Sequence, residues 1–201
     1  MKYFSIATAF ASILAVTAAQ ANPAKVGDVA PAFTLTDSNG VEHSLADFAG
    51  KTVVLEWTNH ECPFVKKHYA SGNMQAQQTA ATADGVVWLS INSAAAGKQG
   101  NVDGSAANRL RSEAKSANTA YLLDATGVVG RLYAAKTTPH MYVIDPSGVL
   151  RYAGAIDSIP SADPADIPKA TQYVSNALAE LAAGKPVSTA VTQAYGCSVK
   201  Y

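Results

Sequence analysis

Apolar and polar positions alternate at Pro31, Phe33, Leu35 and Asp37 and then meet Asn39-Gly40, a pair that favours a tight turn between short strands. This predicts a β-hairpin with Val41 to Leu45 as the returning strand, followed by a helical turn from Leu45 to Lys51 closed by Gly50. Thr52-Val53-Val54-Leu55-Glu56-Trp57 shows no alternation and is rich in β-branched residues, the pattern of a strand buried on both faces of a parallel sheet. Pro63 opens a helix running toward Ala83, because a proline in the first turn sacrifices no intrahelical donor. Ser71-Gly72-Asn73 breaks or kinks it. Val86 to Ile91 is a second buried strand, Gly97 to Gly104 a loop and Ser105 to Ala117 an amphipathic helix. Tyr121-Leu122-Leu123 is a further strand and Thr126 to Tyr133 a short helix. Met141 to Asp145 and Val149 to Ala153 flank Pro146-Ser147-Gly148 as a second hairpin. Pro168 to Ala183 reads as a helix with Gly184 past its end, and Val187 to Tyr201 as an irregular tail.

Strands separated by helices, ending in a hairpin and a helix, describe an α/β fold with a mixed central sheet and helices on both faces. The N-terminal stretch stands apart from it. Lys2 supplies a positive start, Phe4 to Ala19 carries no charge, and Ala19-Gln20-Ala21 has small residues where a signal peptidase reads. Residues 1–21 are therefore expected to be a Sec-type signal peptide, leaving 22–201 as one domain in the periplasm or secreted. Fifteen basic and fifteen acidic residues balance to zero net charge, which gives no electrostatic reason to expect nucleic acid or an anionic membrane as a partner.

Export changes the meaning of the two cysteines, Cys62 and Cys197, because an oxidising compartment favours disulfides. Two thiols far apart are too few for a zinc framework. Cys62-Pro63 sets a sulfur at the first turn of a helix, where free N–H groups and the helix dipole favour a thiolate. Lys66 and Lys67 follow about one turn on, and His60 and His68 are further cations or proton carriers; Glu61 opposes the anion unless it turns to solvent. A buried inert cysteine is the alternative, but Asn59-His60-Glu61 is a polar setting for one. A copper or zinc site built from His60, Cys62 and His140 is a weaker reading, and no cofactor is expected. His43 reads as a solvated strand residue, and Tyr69, Tyr121, Tyr133, Tyr142 and Tyr173 as packing residues.

Pro31, Phe33, Leu35, Asp37, Gly40, Leu45, Gly50-Lys51 and Cys62-Pro63, with Thr138-Pro139 and Asp145-Pro146-Ser147-Gly148, resemble the redoxin pattern over about residues 25 to 155. This is the alkyl hydroperoxide reductase and thiol-specific antioxidant branch of the thioredoxin superfamily. The stretch His60 to Tyr69 and the ending Gly196-Cys197-Ser198-Val199-Lys200-Tyr201 look like a peroxiredoxin-like subgroup. The resemblance implies a thioredoxin-like fold with Cys62 at the nucleophilic position. It also implies a cis-proline at Pro139, with Thr138 offering its backbone to an extended substrate.

The pattern departs from two relatives. A thioredoxin dithiol needs Cys-x-x-Cys, and Val65 fills the fourth position. A peroxiredoxin needs Pro-x-x-x-Thr-x-x-Cys and an arginine, but Leu55 and Asn59 stand at the first two positions, with Thr58 one residue out of register. Arg131 or Arg151 serves only if folding brings it to Cys62. Cys197 is then a resolving thiol, half of a static disulfide, or a free or intermolecular thiol. Three functions follow: a thiol–disulfide oxidoreductase, a thiol peroxidase, or a non-catalytic binding module with a structural disulfide. The expected partners are protein or small-molecule thiols and disulfides, peroxides in the second case, and an external thiol reductant.

Overall fold

The structure, a computed structural model, describes residues 23–201; the expected signal peptide lies outside them. The elements are β1 (Thr34–Asp37), β2 (Glu42–Ser44), β3 (Val53–Trp57), α1 (Pro63–Ala70), α2 (Asn73–Ala83), β4 (Val87–Asn92) and α3 (Gly104–Glu113). They continue with β5 (Ala120–Leu123), α4 (Val128–Leu132), β6 (Thr137–Thr138), β7 (His140–Ile144), β8 (Leu150–Gly154), α5 (Tyr173–Ala182) and β9 (Cys197–Ser198). Seven strands form one mixed sheet in the order β2-β1-β5-β4-β3-β7-β8. β3, β4 and β5 run parallel, while β7, β8 and the β1–β2 hairpin are antiparallel additions. All five residues of β3 and all six of β4 are buried, as their unbroken apolar runs require at the centre of a sheet covered on both faces.

Side chains alternate across the sheet and build two cores. Val53, Leu55 and Trp57 face one way, with Leu89, Ile91, Leu122, Val129 of α4 and Tyr133 just past its end. Val54, Trp88, Met141 and Val143 face the other, against Met74 and Ala81 of α2 and Val174 and Ala177 of α5. The helix predicted over Pro63 to Ala83 is divided where expected, with Gly72 at a φ of 78° that favours glycine.

Four expectations need correction. Pro168 does not open a helix: it sits within a 3-10 turn, Pro164–Lys169, whose start is capped by the Asp163 carboxylate on the Ala165 N–H at 2.9 Å, and α5 begins only at Tyr173. The helix before Ala117 stops at Glu113, and Lys115 leaves it at a φ of 52°. His43 is not solvated but half-buried, 3.2 Å from the Asp37 carboxylate and stacked on Phe48. The tail is not free of structure: β9 pairs antiparallel with β6 in a small second sheet.

Two buried polar groups lie on the α1 side. The Glu56 carboxylate accepts from Tyr69 Oη (2.8 Å), Trp88 Nε1 (2.8 Å), Ser90 Oγ (2.9 Å) and Gln78 Nε2 (3.2 Å), joining β3, α1, α2 and β4. Burial still raises its pKa against those four hydrogen bonds. On α1, Lys67 Nζ lies 3.3 Å from Asp157 Oδ2 with both side chains wholly buried, and His68 Nε2 lies 3.8 Å from the same oxygen. Lys67 is thus committed to the fold.

Glu56→Ala strands buried donors and is expected to cost about 3 kcal/mol, read from urea unfolding. Burial first, opposed by Asp157 and reinforced by Lys67, lowers the His68 pKa from 6.5 to about 4. The unfolded chain therefore binds the proton more readily, so His68 contributes stability above its ordinary value that is lost as pH falls through about 4. Urea midpoints should drop across that window by an amount equivalent to about 3 kcal/mol, and His68→Gln should flatten the slope.

Candidate active site

β3 ends at the sheet edge where α/β proteins gather their reacting groups. Beyond it the Thr58 N–H still bonds the Ile91 carbonyl at 2.9 Å, and Asn59 then turns the chain. The Asn59 side-chain oxygen accepts from the Glu61 N–H at 2.9 Å, and its carbonyl accepts from the Cys62 N–H at 3.0 Å. Cys62 is left extended, with φ −70° and ψ 124°, as the N-cap of α1, and Pro63 follows in the first turn. This is the setting expected for Cys62, but the residue has no solvent exposure.

The C-terminal tail and β6 bury it. Thr138 pairs with Cys197 and Thr137 with Ser198, and Thr138-Pro139 is a cis peptide, as expected. The Cys62 thiol donates to the Thr138 carbonyl at 3.1 Å. Burial would raise the Cys62 pKa, but four donors together outweigh it and lower the pKa below the ordinary thiol value. They are the Cys197 S–H, the Val65 and Cys197 N–H groups and the Thr138 hydroxyl. Cys197 moves the opposite way, to about 11, through its own burial, its bond to the Cys62 sulfur and the charge there, with Lys200 opposing. Both thiols are free, and their acidities are shifted in opposite directions.

The other predicted residues are placed differently. Lys66 is exposed and is not among the groups acting on Cys62, whereas the backbone of α1 is. His60 borders a 190 Å³ hollow with Thr58, Val65 and Tyr69; its Nδ1 is buried without a partner and its Nε2 lies 4.0 Å from an outward-turned Glu61. His140 sits against Tyr142, with its Nδ1 3.2 Å from the Tyr142 hydroxyl. Among the described residues no three His, Cys, Asp or Glu side chains converge to hold a metal. Arg131 packs on the Tyr201 ring at 4.5 Å, and Arg151 pairs with Asp145 at 2.6 Å, so neither is spent on Cys62.

Sequence reasoning missed how the tail is held. The Tyr195 hydroxyl donates to Asp157, and its ring meets Phe64 at 5.8 Å and Lys67 at 5.8 Å. The Val199 N–H bonds the Lys136 carbonyl at 3.0 Å, the Lys200 carbonyl accepts from Ala95 N–H at 2.8 Å, and the Tyr201 hydroxyl donates to the Ala135 carbonyl at 2.7 Å. Gly196, between Tyr195 and Cys197, was the one available signal, since an isolated glycine beside a reactive residue marks close backbone approach.

Cys197→Ala removes one of the donors that favour the Cys62 anion. Titration of thiolate absorbance in the reduced protein should find Cys62 ionising at higher pH than in the parent chain; an unchanged or lower pKa contradicts the arrangement above.

Solved structures of two proteins without assigned functions are similar along almost their whole length. A conserved protein from Geobacillus kaustophilus is 27% identical, with a TM-score of 0.76, covering 94% of this chain and 98% of that one. A hypothetical protein from Sinorhizobium meliloti is 24% identical, with a TM-score of 0.77, covering 90% and 96%. The thioredoxin domain of a thiol-disulfide oxidoreductase from Bacteroides vulgatus shares the fold at 21% identity and a TM-score of 0.51, covering 72% and 96%. No curated protein matches. Family and fold together support thiol redox chemistry in general. The AhpC/TSA family pattern matches residues 26–153, more than half of the sequence, and the chain belongs to that family.

Proposed function

We propose that this chain is an exported thiol–disulfide oxidoreductase in which Cys62 is the nucleophile and Cys197 the resolving thiol. The observation that carries the reading is the strand pairing that sets Cys197 opposite Thr138, whose carbonyl accepts the Cys62 thiol at 3.1 Å, with the Cys62 pKa lowered and that of Cys197 raised. Export rests on the Lys2 to Ala21 sequence. No helix among the described residues is long and apolar enough to cross a membrane.

The Cys62 thiolate attacks one sulfur of a substrate disulfide. A new S–S bond forms, the old one breaks, and the departing sulfur leaves as a thiolate and takes a proton from solvent. Cys62 then carries no charge, so one cause of the high Cys197 pKa disappears at the moment Cys197 is needed. Cys197 loses its proton and attacks the Cys62 sulfur, the substrate leaves as a thiol, and Cys62–Cys197 closes as a disulfide. Two electrons and two protons have passed to the substrate, and an external dithiol restores the pair. Thr138 and the α1 N-terminus hold the charge in the resting state, Pro63 starts the helix that supplies the Val65 N–H, and Pro139 follows the strand that borders the sulfur. His60, open to its hollow, is a proton carrier in this scheme.

Family membership favours a second reading, a thiol peroxidase. Asn59 is bonded to the Gln99 carbonyl and the Glu61 N–H, and Arg131 and Arg151 are engaged with Tyr201 and Asp145, so neither the expected threonine nor either of these arginines stands ready to polarise a peroxide at this sulfur. Peroxide consumption by the reduced protein separates the two readings.

Differential alkylation with mass spectrometry should show Cys62 and Cys197 joined after treatment with a disulfide and free after a dithiol. Cys62→Ser should reduce turnover to background, and Cys197→Ser should accumulate the mixed disulfide with its substrate. Normal turnover by Cys62→Ser overturns the proposal.

A further inference from the structure

The tail does more than deliver Cys197. Cys197 and Ser198 pair antiparallel with Thr138 and Thr137, and the Val199 N–H bonds the Lys136 carbonyl, which sets the second cysteine beside the Thr138 carbonyl that accepts the Cys62 thiol. Cys62 cannot reach a large substrate while this strand is seated, because nothing of it is exposed. The seat is also selective. Gly196 holds a φ of 130°, and a Cβ there would collide with the Thr138 carbonyl oxygen and touch Phe64. That carbonyl cannot retreat freely, because it also accepts the Cys62 thiol at 3.1 Å. One residue earlier, the Tyr195 ring fills a site made by Phe64, Lys67 and the Asp157 carboxylate.

We propose that the tail is a resident copy of the partner's reacting segment. The strand slot beside Thr138 then takes an extended polypeptide cysteine preceded by glycine, with a tyrosine before that, which displaces residues 195 to 199 to reach Cys62. The partner adds as an antiparallel strand, so its main chain supplies affinity while the glycine and tyrosine positions supply choice. This rests on the thiol–disulfide reading and names its substrate class. In the first half-reaction the partner's sulfur takes the place of Cys197 on Cys62, its former disulfide partner leaving as a thiolate. In the second the tail returns and Cys197 expels the partner as a thiol.

The test uses full-length, reduced Cys197→Ser chain, in which Cys62 is the sole thiol. The probe is a peptide copying residues 193–199, its cysteine activated as a disulfide with a coloured aromatic thiol. Attack by Cys62 forms the protein–peptide disulfide and releases the coloured thiolate. The glycine-to-alanine peptide should react about tenfold more slowly or worse, corresponding to about 1.4 kcal/mol. The tyrosine-to-alanine peptide should also be slower. A small symmetrical aromatic disulfide lacks these features and supplies the reference rate for Cys62 itself. If the small disulfide reacts and the three peptides react equally, or none of them does, the partner assignment is wrong while the thiol–disulfide reading stands. If the small disulfide fails to react as well, both fall.

Discussion

The antiparallel pairing of Thr138 with Cys197 is the contact on which the proposed chemistry of this molecule depends. The Thr138 carbonyl accepts the Cys62 thiol, and its hydroxyl acts on the same sulfur. The carbonyl also closes off the space a side chain at residue 196 would need. Its strand partner carries the second thiol. A shift of the tail by one residue would turn Cys197 to the opposite face of its strand and carry its sulfur away from Cys62, because side chains alternate along a strand. Register is consequently guarded on both sides. Tyr195 is tied to Asp157 on one side, and Tyr201 is tied to the Ala135 carbonyl and packed by Arg131 on the other.

The anchor of Tyr195 has its own requirements. Asp157 is wholly buried and survives as an ion-pair partner because Lys67 is buried beside it on α1. The Lys67 ammonium also bonds the Ile159 carbonyl at 3.2 Å. The helix that presents Cys62 therefore also carries, five residues on, the cation that positions the acceptor for the tail. Helix, buried pair and tail form one connected unit. Removing Lys67 alone would leave a buried carboxylate without its counter-ion, which is costlier than the attraction between the two suggests.

The sheet was readable because burial leaves an imprint on sequence. Val53 to Trp57 and Val87 to Asn92 need apolar or fully bonded side chains on both faces, and the Asn39-Gly40 turn needs a residue that tolerates positive φ. Cys62 at a helix N-terminus was readable for the same reason, since Pro63 marks the first turn. What escaped was set by long-range pairing. Lys67 looked like a cation for the thiolate because its neighbour in sequence is Lys66; its actual partner, Asp157, lies ninety residues away. The tail looked irregular because two-residue β9 has no periodicity of its own and takes its form from β6. Pro168 misled because it lies inside the 3-10 helix that Pro164 opens rather than at a helix start, and the bridge from Asp157 to Gln172 holds the chain extended just before α5.

Seating of the tail and ionisation of Cys62 are one equilibrium seen from two sides. The seated tail contributes the Cys197 thiol and N–H to the groups that lower the Cys62 pKa. Linkage is reciprocal, so formation of the anion must hold the tail more tightly by the same free energy. Ionisation of Cys62 therefore favours the closed state, in which its sulfur is covered. In the proposed cycle, capture of Cys62 in a mixed disulfide removes its negative charge and with it that part of the tail's hold. The same event releases the Cys197 thiol from the charge that kept it protonated, which prepares it as a nucleophile. The proposed disulfide between the two sulfurs then ties the tail to α1 covalently, with the strand pairing at Thr138 holding Cys197 on the Cys62 side. The sequence of states follows from where negative charge resides, and each step that removes it from Cys62 alters what the tail can do next.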